Sequence, residues 1–433
     1  MRISPARRLN GRIRLPGDKS ISHRAAIIAA LAATPSHITN FSPSQDCAAT
    51  LSCLEQLGVG IERAGESVRV DGVRGLAQPA MTLDCGNSGS TIRMLAGVLA
   101  GQSFTSTLTG DASLRSRPMK RIIEPLGMMG AKVESYNGKP PLIVAGRRRL
   151  KPIRYELPVA SAQVKTCVLL AGLHAEGVTE VIEKRGATRD HTERMLKWFG
   201  VPLESVIRES ESATLISLTE SFPGQDVSVP GDISSAAFLI AAAALMPNSK
   251  LGIEGVGINP TRTMFLRELQ SFGLAIEIEE KGEESGEPIG NVRVTSGAGL
   301  DTRGNLIEIK GDLIPQLIDE LPLLAVVGTQ LQGGLTIRDA GELRTKESDR
   351  IAATVKNLRW MGADVEELED GLRVCGPTTL RGARVNSYGD HRIAMAFAVA
   401  ALIAQGDSEI AGAGCVDVSF PGFFQVLDAI VER

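Results

Sequence analysis

Along this chain, two-residue alternation and helical periodicity take turns. Arg12-Ile13-Arg14-Leu15 alternates as a strand does, Pro16-Gly17 breaks it, and the small-residue run from Ala25 to Ala33 predicts a helix starting near Asp18 or Lys19. Next come a strand-like segment, His37 to Phe41, a helix from Asp46 to Leu57 closed by Gly58, and a hairpin. The hairpin pairs Val59 to Glu62 with Val68 to Val70 around Gly65. The order helix, strand, helix, strand, strand then starts again at Cys85 to Arg93, passing through Phe104 to Gly110 and a helix from Pro118 to Met129, and closing with Ala131 to Val144.

Further rounds open at Val159 to Gln163, at Pro230 to Ser235, near Ile318 to Leu321, and at Tyr388 to Arg392. The starts fall roughly 70 residues apart, with one step of about 90, a period longer than those of common solenoids. The long step contains the charged, glycine-rich stretch Glu279 to Gly290, which reads as an enlarged and solvated hairpin tip. Each round has one helix apolar nearly all around, such as Ala236 to Leu245 or Ile393 to Ile403, and one amphipathic helix, such as Asp190 to Phe199. All-round apolar helices must be central and amphipathic ones peripheral, so the pattern predicts an α/β fold with buried helices inside and sheets and outer helices around them.

The last round ends after a helix from Phe423 to Val431 with no hairpin, while Arg2 to Leu15 reads as an orphan hairpin with Asn10-Gly11 as its turn. The N-terminus is therefore expected to complete the final round. This predicts one lobe of residues 16–228 and a second of 1–15 plus 229–433, with paired connections near 15–18 and 227–232. Two neighbouring connections make a hinge, and a hinge implies closure over a ligand.

The chain has 433 residues, too many for one ordinary core. Hydrophobic content of 43% and charged content of 22% indicate a soluble globular protein. A net charge of -3 and 4% aromatic residues argue against nucleic acid, which needs basic surfaces and stacking rings. The six cysteines form no Cys-x-x-Cys pair and read as reduced, mostly buried small residues. Apolar runs are too short to span a bilayer, and the arginine-rich N-terminal stretch lacks the apolar core of a secretory signal, so a cytoplasmic location is expected.

Cations gather where helices begin: Lys19, Arg24, Arg93, Arg117 and Arg189 in the first three rounds, Lys346, Arg350 and Arg392 in the last three. Helix starts expose amides that attract anions, and arginine forks suit carboxylate and phosphate oxygens. Two acids stand among them. Asp319 could cap a helix or act as a base, and Glu347 could simply pair with Arg350 or move a proton. P-loop, dinucleotide and nucleophile-elbow motifs are absent, and the five histidines have no metal spacing; His23 and His391 read as helix-start hydrogen bonders. What remains is group transfer or isomerisation among anions.

The stretches Pro16 to Arg24, Gly86 to Arg93, Leu108 to Pro118, Ser161-Ala162-Gln163, Thr188 to Glu193, Lys346 to Arg350 and Asp390-His391-Arg392 occur in an order that resembles the 5-enolpyruvylshikimate-3-phosphate (EPSP) synthase family over essentially the whole chain. The resemblance implies a two-lobed fold, each lobe three copies of one α/β unit, with the active site in the cleft between them. It implies enolpyruvyl transfer from phosphoenolpyruvate to the 5-hydroxyl of 3-phosphoshikimate by addition and elimination of phosphate, a step of the shikimate pathway to chorismate and aromatic amino acids. By the same resemblance, 3-phosphoshikimate would meet Lys19, Ser20, Arg24, Ser161, Ala162, Gln163, Arg189, Asp319 and Lys346. Phosphoenolpyruvate would meet Lys19, Gly89, Arg117, Gln163, Arg350 and Arg392, with Asp319 as base and Glu347 as proton donor helped by Lys19. No cofactor, metal, nucleic acid or membrane partner is implied, and a monomer is expected.

Ser161-Ala162-Gln163 and Thr188-Arg189-Asp190 resemble the family's second class, and Asp417, Val418 and Ser419 stand where many first-class members carry a lysine. The sister family that uses UDP-N-acetylglucosamine would show Lys-Asn in place of Lys19-Ser20 and usually a cysteine before Arg117, where Ser113 to Ser116 has none. A non-catalytic anion-binding protein of the same fold is a further alternative, opposed by the intact Asp319 and Glu347.

Overall fold

The computed structural model of the chain describes residues 1–73, 75–184, 188–208, 211–296 and 306–433. It divides into two compact units, one made of Gly17–Pro230 with Glu283–Glu287, the other of Met1–Pro16, Gly231–Gly282 and Pro288–Arg433.

Each unit is built around apolar helices. In the first these are Lys19–Leu31, Gly89–Ala100 and Ala162–Gly172, and in the second Ile233–Leu245, Leu321–Gly328 and His391–Ile403. Beyond their first turns these sequences are mostly small or apolar residues with little polar face, so burial is the stable place for them. Ile233–Leu245 is buried at every position except Leu245, and Leu321–Gly328 at every position. Four of the six starts are set by side chains that accept orphan amides: Asp18 from Ile21, Ser88 from Thr91, Asp232 from Ser234 and Asp390 from Arg392. Such caps fix where each helix begins, and hence where its free amides and first side chains point.

Close helix packing sets the spacing of the first unit. Gly89–Ala100 lies against Ala162–Gly172, and a Cβ on Gly97 would sit 2.2 Å from the carbonyl oxygen of Cys167. Only glycine lets the two backbones approach so closely.

Among the described residues the strands form six sheets. Four share one order. In the first, Val227–Ser228 runs parallel to Ser36–Thr39, which pairs antiparallel with Ser67–Asp71, which in turn pairs with Gly60–Ala64. The sheets containing Thr105–Thr109, Val178–Glu183 and Leu335–Ile337 repeat it. The strand leading into each unit thus pairs in the unit it leaves: Arg8–Arg14 lies parallel to Lys250–Gly257, and Val227–Ser228 parallel to Ser36–Thr39.

Two expectations are corrected. Arg2 to Leu15 is not a hairpin. Arg2–Ile3 pairs with Ser408–Ala411, whereas Arg8–Arg14 is an unbroken strand in which Asn10 and Gly11 face Lys250 and Leu251. Pro5 lies between the two strands, and each segment joins a different sheet, Arg8–Arg14 with a strand on either side, which satisfies more backbone groups than a two-strand ribbon would. The chain also continues beyond the last helix, Phe423–Ile430, as a strand, Val431–Glu432, paired with Arg8–Arg14.

The second correction concerns the long hairpin Ile276–Glu284 and Glu287–Thr295. It is enlarged, and residues 280–284 are exposed as expected, but the turn is covered: Ser285 and Glu287 are buried, and Glu283–Glu287 belongs to the unit of Gly17–Pro230. Ser285 and Gly286 both have positive φ, as a two-residue hairpin turn of this hand requires. Their polar groups are buried because partners meet them there, a matter of tertiary contact that composition does not express.

Among the described residues no helix is long and apolar enough to cross a membrane. Gly97→Val is expected to lower the free energy of unfolding by about 1–3 kcal/mol, as overpacking at a closed helix contact does. Urea unfolding followed by circular dichroism measures this.

Candidate functional site

In the unit of Gly17–Pro230 the candidate residues cluster at three helix starts. Asp18 caps the first helix, so Lys19 and Ser20 open it, and the Lys19 ammonium pairs with Asp46 at 2.7 Å. Arg24, one turn on, is 3% exposed. Its guanidinium donates to the Ser20 carbonyl at 2.8 Å, to Thr166 Oγ1 at 3.0 Å and to Thr192 Oγ1 at 2.7 Å. Arg24 therefore ties the first helix to the other two segments that carry candidates, Ser161-Ala162-Gln163 and Arg189 to Thr192.

The second helix start brings Gly89, Arg117 and Gln163 together through Arg93 and Asn87. Arg93 donates to Gln163 Oε1 at 2.7 Å, and Gln163 Nε2 donates to Ser90 Oγ at 3.0 Å. Arg117 donates to Asn87 Oδ1 at 2.6 Å and Ser113 Oγ at 3.1 Å. A Cβ on Gly89 would lie 2.6 Å from one Arg93 nitrogen and 3.3 Å from one of Arg117, so glycine keeps both guanidinium groups over this backbone. At the third start Ser161 makes no side-chain cap bond, and Arg189 is half-buried just before helix His191–Trp198.

Beneath these lies a buried polar layer. Lys165 is 1% exposed and bridges Glu183 at 2.9 Å and Glu193 at 2.7 Å. Burial acts against its charge, but Glu193 and Glu183 outweigh it and raise its pKa. His23 is held well below its ordinary value, first by burial and then by Lys19 and Arg24, with Asp18 opposing. It is neutral at physiological pH, bonded to Thr50 Oγ1 at 2.7 Å, and so takes the structural role expected of it.

The other unit is organised by Arg350, 2% exposed. Its nitrogens lie 2.8 Å from Asp390, 2.6 Å from Glu347 and 3.3 Å from Asp319. Burial disfavours its charge, yet Asp390, Glu347 and Asp319 together raise its pKa above the usual arginine value. Arg392 continues the network, 3.6 Å from Asp319 and 3.2 Å from Glu320. Glu320 accepts from Ser234 at 2.6 Å, and Ser234 from Arg262 at 2.7 Å. Lys346 pairs with Glu342 at 2.9 Å. Both roles weighed for the two acids now have answers in part: Asp319 bonds two arginines and the following helix has no side-chain cap, while Glu347 does pair with Arg350.

Asp46, Thr166, Thr192, Ser234, Arg262, Glu320 and Asp390 join these clusters without having been singled out as site residues. Asp390 and Thr192 lie inside quoted motifs, and Glu320 is the neighbour of Asp319. Asp46 and Arg262 carry no local signal, because their roles depend on segments far away in sequence. Among the described residues no group of three or more histidine, cysteine or acidic side chains is placed to hold a metal ion. What the clusters offer is fixed cations for several negative charges, with three carboxylates held on one guanidinium.

The family profile of EPSP synthase (3-phosphoshikimate 1-carboxyvinyltransferase) matches residues 3–427. The chain is 48% identical to the 3-phosphoshikimate 1-carboxyvinyltransferase of Desulforamulus reducens, covering 99% of each, and 49% identical to that of Koribacter versatilis, covering 100% of this chain and 99% of the relative. Among solved structures it is similar to EPSP synthase from Acinetobacter baumannii, with a TM-score of 0.84 and 39% identity over 99% of this chain and 98% of that one. The enolpyruvyl transferase NikO from Streptomyces tendae shares the fold at a TM-score of 0.77 and 18% identity, over 99% and 96% of the two chains.

Arg350→Ala is expected to destabilise the protein by about 3–5 kcal/mol, because it strands the buried Asp390 carboxylate; denaturant unfolding reads this directly. Acid should weaken the other unit. Burial lowers the pKa of His174 to about 4, so the unfolded chain takes up protons there that the folded one refuses. Stability unaffected by this group above its unfolded pKa is lost as pH falls toward about 4, amounting to about 3 kcal/mol, and His23 adds to it in the same direction. A urea midpoint that falls between pH 7.5 and pH 5, and falls less in His174→Asn, is the expected result.

Proposed function

The chain belongs to the EPSP synthase family, and on that premise we propose how its own side chains carry the family's reaction. The protein is an enzyme that transfers the enolpyruvyl group of phosphoenolpyruvate to 3-phosphoshikimate and releases phosphate, a step of aromatic amino acid biosynthesis. The acceptor UDP-N-acetylglucosamine is disfavoured by this membership and by Ser20 after Lys19.

The observation that carries the assignment of roles is that one buried guanidinium, Arg350, holds both Asp319 and Glu347. Asp319 takes the proton from the 5-hydroxyl as that oxygen attacks C2 of phosphoenolpyruvate. Glu347, with Lys19, delivers a proton to the methylene carbon, and the tetrahedral adduct then expels phosphate and regenerates the double bond. Gln163, Ser161, Ala162, Ser20, Arg24, Arg189 and Lys346 serve 3-phosphoshikimate. Gly89, Arg117, Gln163, Arg350 and Arg392 serve phosphoenolpyruvate, where Gly89 gives a small ligand access to backbone and Arg117. Fixed cations stabilise charge without reorganising during reaction, and alignment contributes as well.

The connections Pro16–Gly17 and Pro230–Gly231, where the units divide, act as the hinge. Support comes from reciprocal backbone bonds, Asp18 N–H to the Pro230 carbonyl and Asp232 N–H to the Pro16 carbonyl, which hold each connection to its own unit. Six unpaired thiols support a reducing, cytoplasmic setting.

Phosphate release from a mixture of 3-phosphoshikimate and phosphoenolpyruvate tests the function, with UDP-N-acetylglucosamine as the control acceptor. Asp319→Asn is expected to lower kcat by about 10²–10⁴-fold while 3-phosphoshikimate still binds in calorimetry. Small-angle scattering is expected to show compaction when 3-phosphoshikimate is added.

A further inference from the structure

The tip of the long hairpin carries a carboxylate that the reaction described above does not use. Glu287 is 1% exposed, and a buried carboxylate needs a partner to remain there. The partner is His191, whose Nδ1 lies 2.7 Å from Glu287 Oε1, both side chains 2% exposed. Beside this pair Arg194 donates to the Gly286 carbonyl at 3.1 Å, and Ser285 Oγ accepts from the Ser228 amide at 2.9 Å. The tip is thus keyed by polar contacts to the first turn of helix His191–Trp198 and to Val227–Ser228.

That first turn lacks a cap of its own. Asp190, at its N-cap position, makes no side-chain cap bond, its carboxylate being engaged by Arg194 at 2.8 Å. An eight-residue helix is too short to hold its own orientation, so the side chains around it decide where it points. On its other side it carries Thr192, which accepts from Arg24 at 2.7 Å and shares a hydrogen bond with Thr166 at 2.6 Å. Arg189 immediately precedes it. A continuous line of contacts therefore runs from Glu287 through His191 and the helix turn to Thr192 and Arg24.

We propose that Glu287 is a positioning residue for the 3-phosphoshikimate half of the site, fixing through His191 the turn that presents Arg189 and that, through Thr192, orients Arg24. This rests on the assignment of Arg24 and Arg189 to 3-phosphoshikimate made above. A residue from the second half of the chain thereby sets substrate recognition by the first. Gly89 and Arg117, assigned to phosphoenolpyruvate, take no part in this line of contacts, so the two substrates should feel its loss unequally.

Steady-state kinetics with both substrates varied distinguishes positioning from plain stabilisation. Glu287→Ala is expected to raise KM for 3-phosphoshikimate about tenfold, the effect of stranding one buried polar partner, while KM for phosphoenolpyruvate changes less than about twofold. Glu287→Gln, which keeps an acceptor oxygen at the same reach, should recover most of the loss. Thr192→Val breaks the line without touching the tip and should give the same selective signature, and it decides the matter if Glu287→Ala folds poorly. An unchanged KM for 3-phosphoshikimate in both, or an equal rise for both substrates, overturns the proposal. A wild-type protein that releases no phosphate from this substrate pair would instead remove the functional assignment, and the proposal with it.

Discussion

The guanidinium of Arg350 is almost sealed from water, and a charge in that position costs several kcal/mol unless neighbours compensate it. Three carboxylates do so, and they arrive from three separate places in the chain: Asp319 ahead of one buried helix, Glu347 at the start of Arg350's own helix, and Asp390 as the cap of another. None of these helices can shift without uncovering charge. The two acids given the proton transfers are consequently held in fixed relation to each other, which is what preorganised acid–base chemistry requires.

The other unit reaches the same end with hydroxyl groups. Arg24 spends its donors on Ser20, Thr166 and Thr192, binding three segments that carry 3-phosphoshikimate candidates, while Lys165 pins the underlying helices through Glu183 and Glu193. The missing side chain at Gly89 lets two further arginines sit close over the backbone there. In both units the repeat supplies the same device, an apolar helix buried in the middle, and four of the six such helices begin at a capping side chain. In each unit this leaves fixed cations suited to anionic groups.

Departures from the sequence reading share one cause. Asn10-Gly11 has the local chemistry of a hairpin turn, yet those residues lie inside a strand because Lys250 and Leu251 offer them a ladder. The stretch Glu279 to Gly290 has the composition of a solvated loop, yet Glu287 is buried because His191 meets it. Local propensity was correct about what these segments could do alone and silent about which distant partner would claim them.

Periodicity, capping residues and the recurrence of one element order were enough to predict an α/β fold of six rounds, because an all-apolar helix has only one stable environment and a capped start is a local event. The motifs also located the cations and both acids. Tertiary structure alone decided which of them touch: that Asp319 and Glu347 share Arg350, that Lys19 faces Asp46, that Arg24 leans on Thr192, and that a hairpin tip locks His191. Charge pairing and burial join residues tens to more than a hundred positions apart, and no pattern within a short window records such a choice.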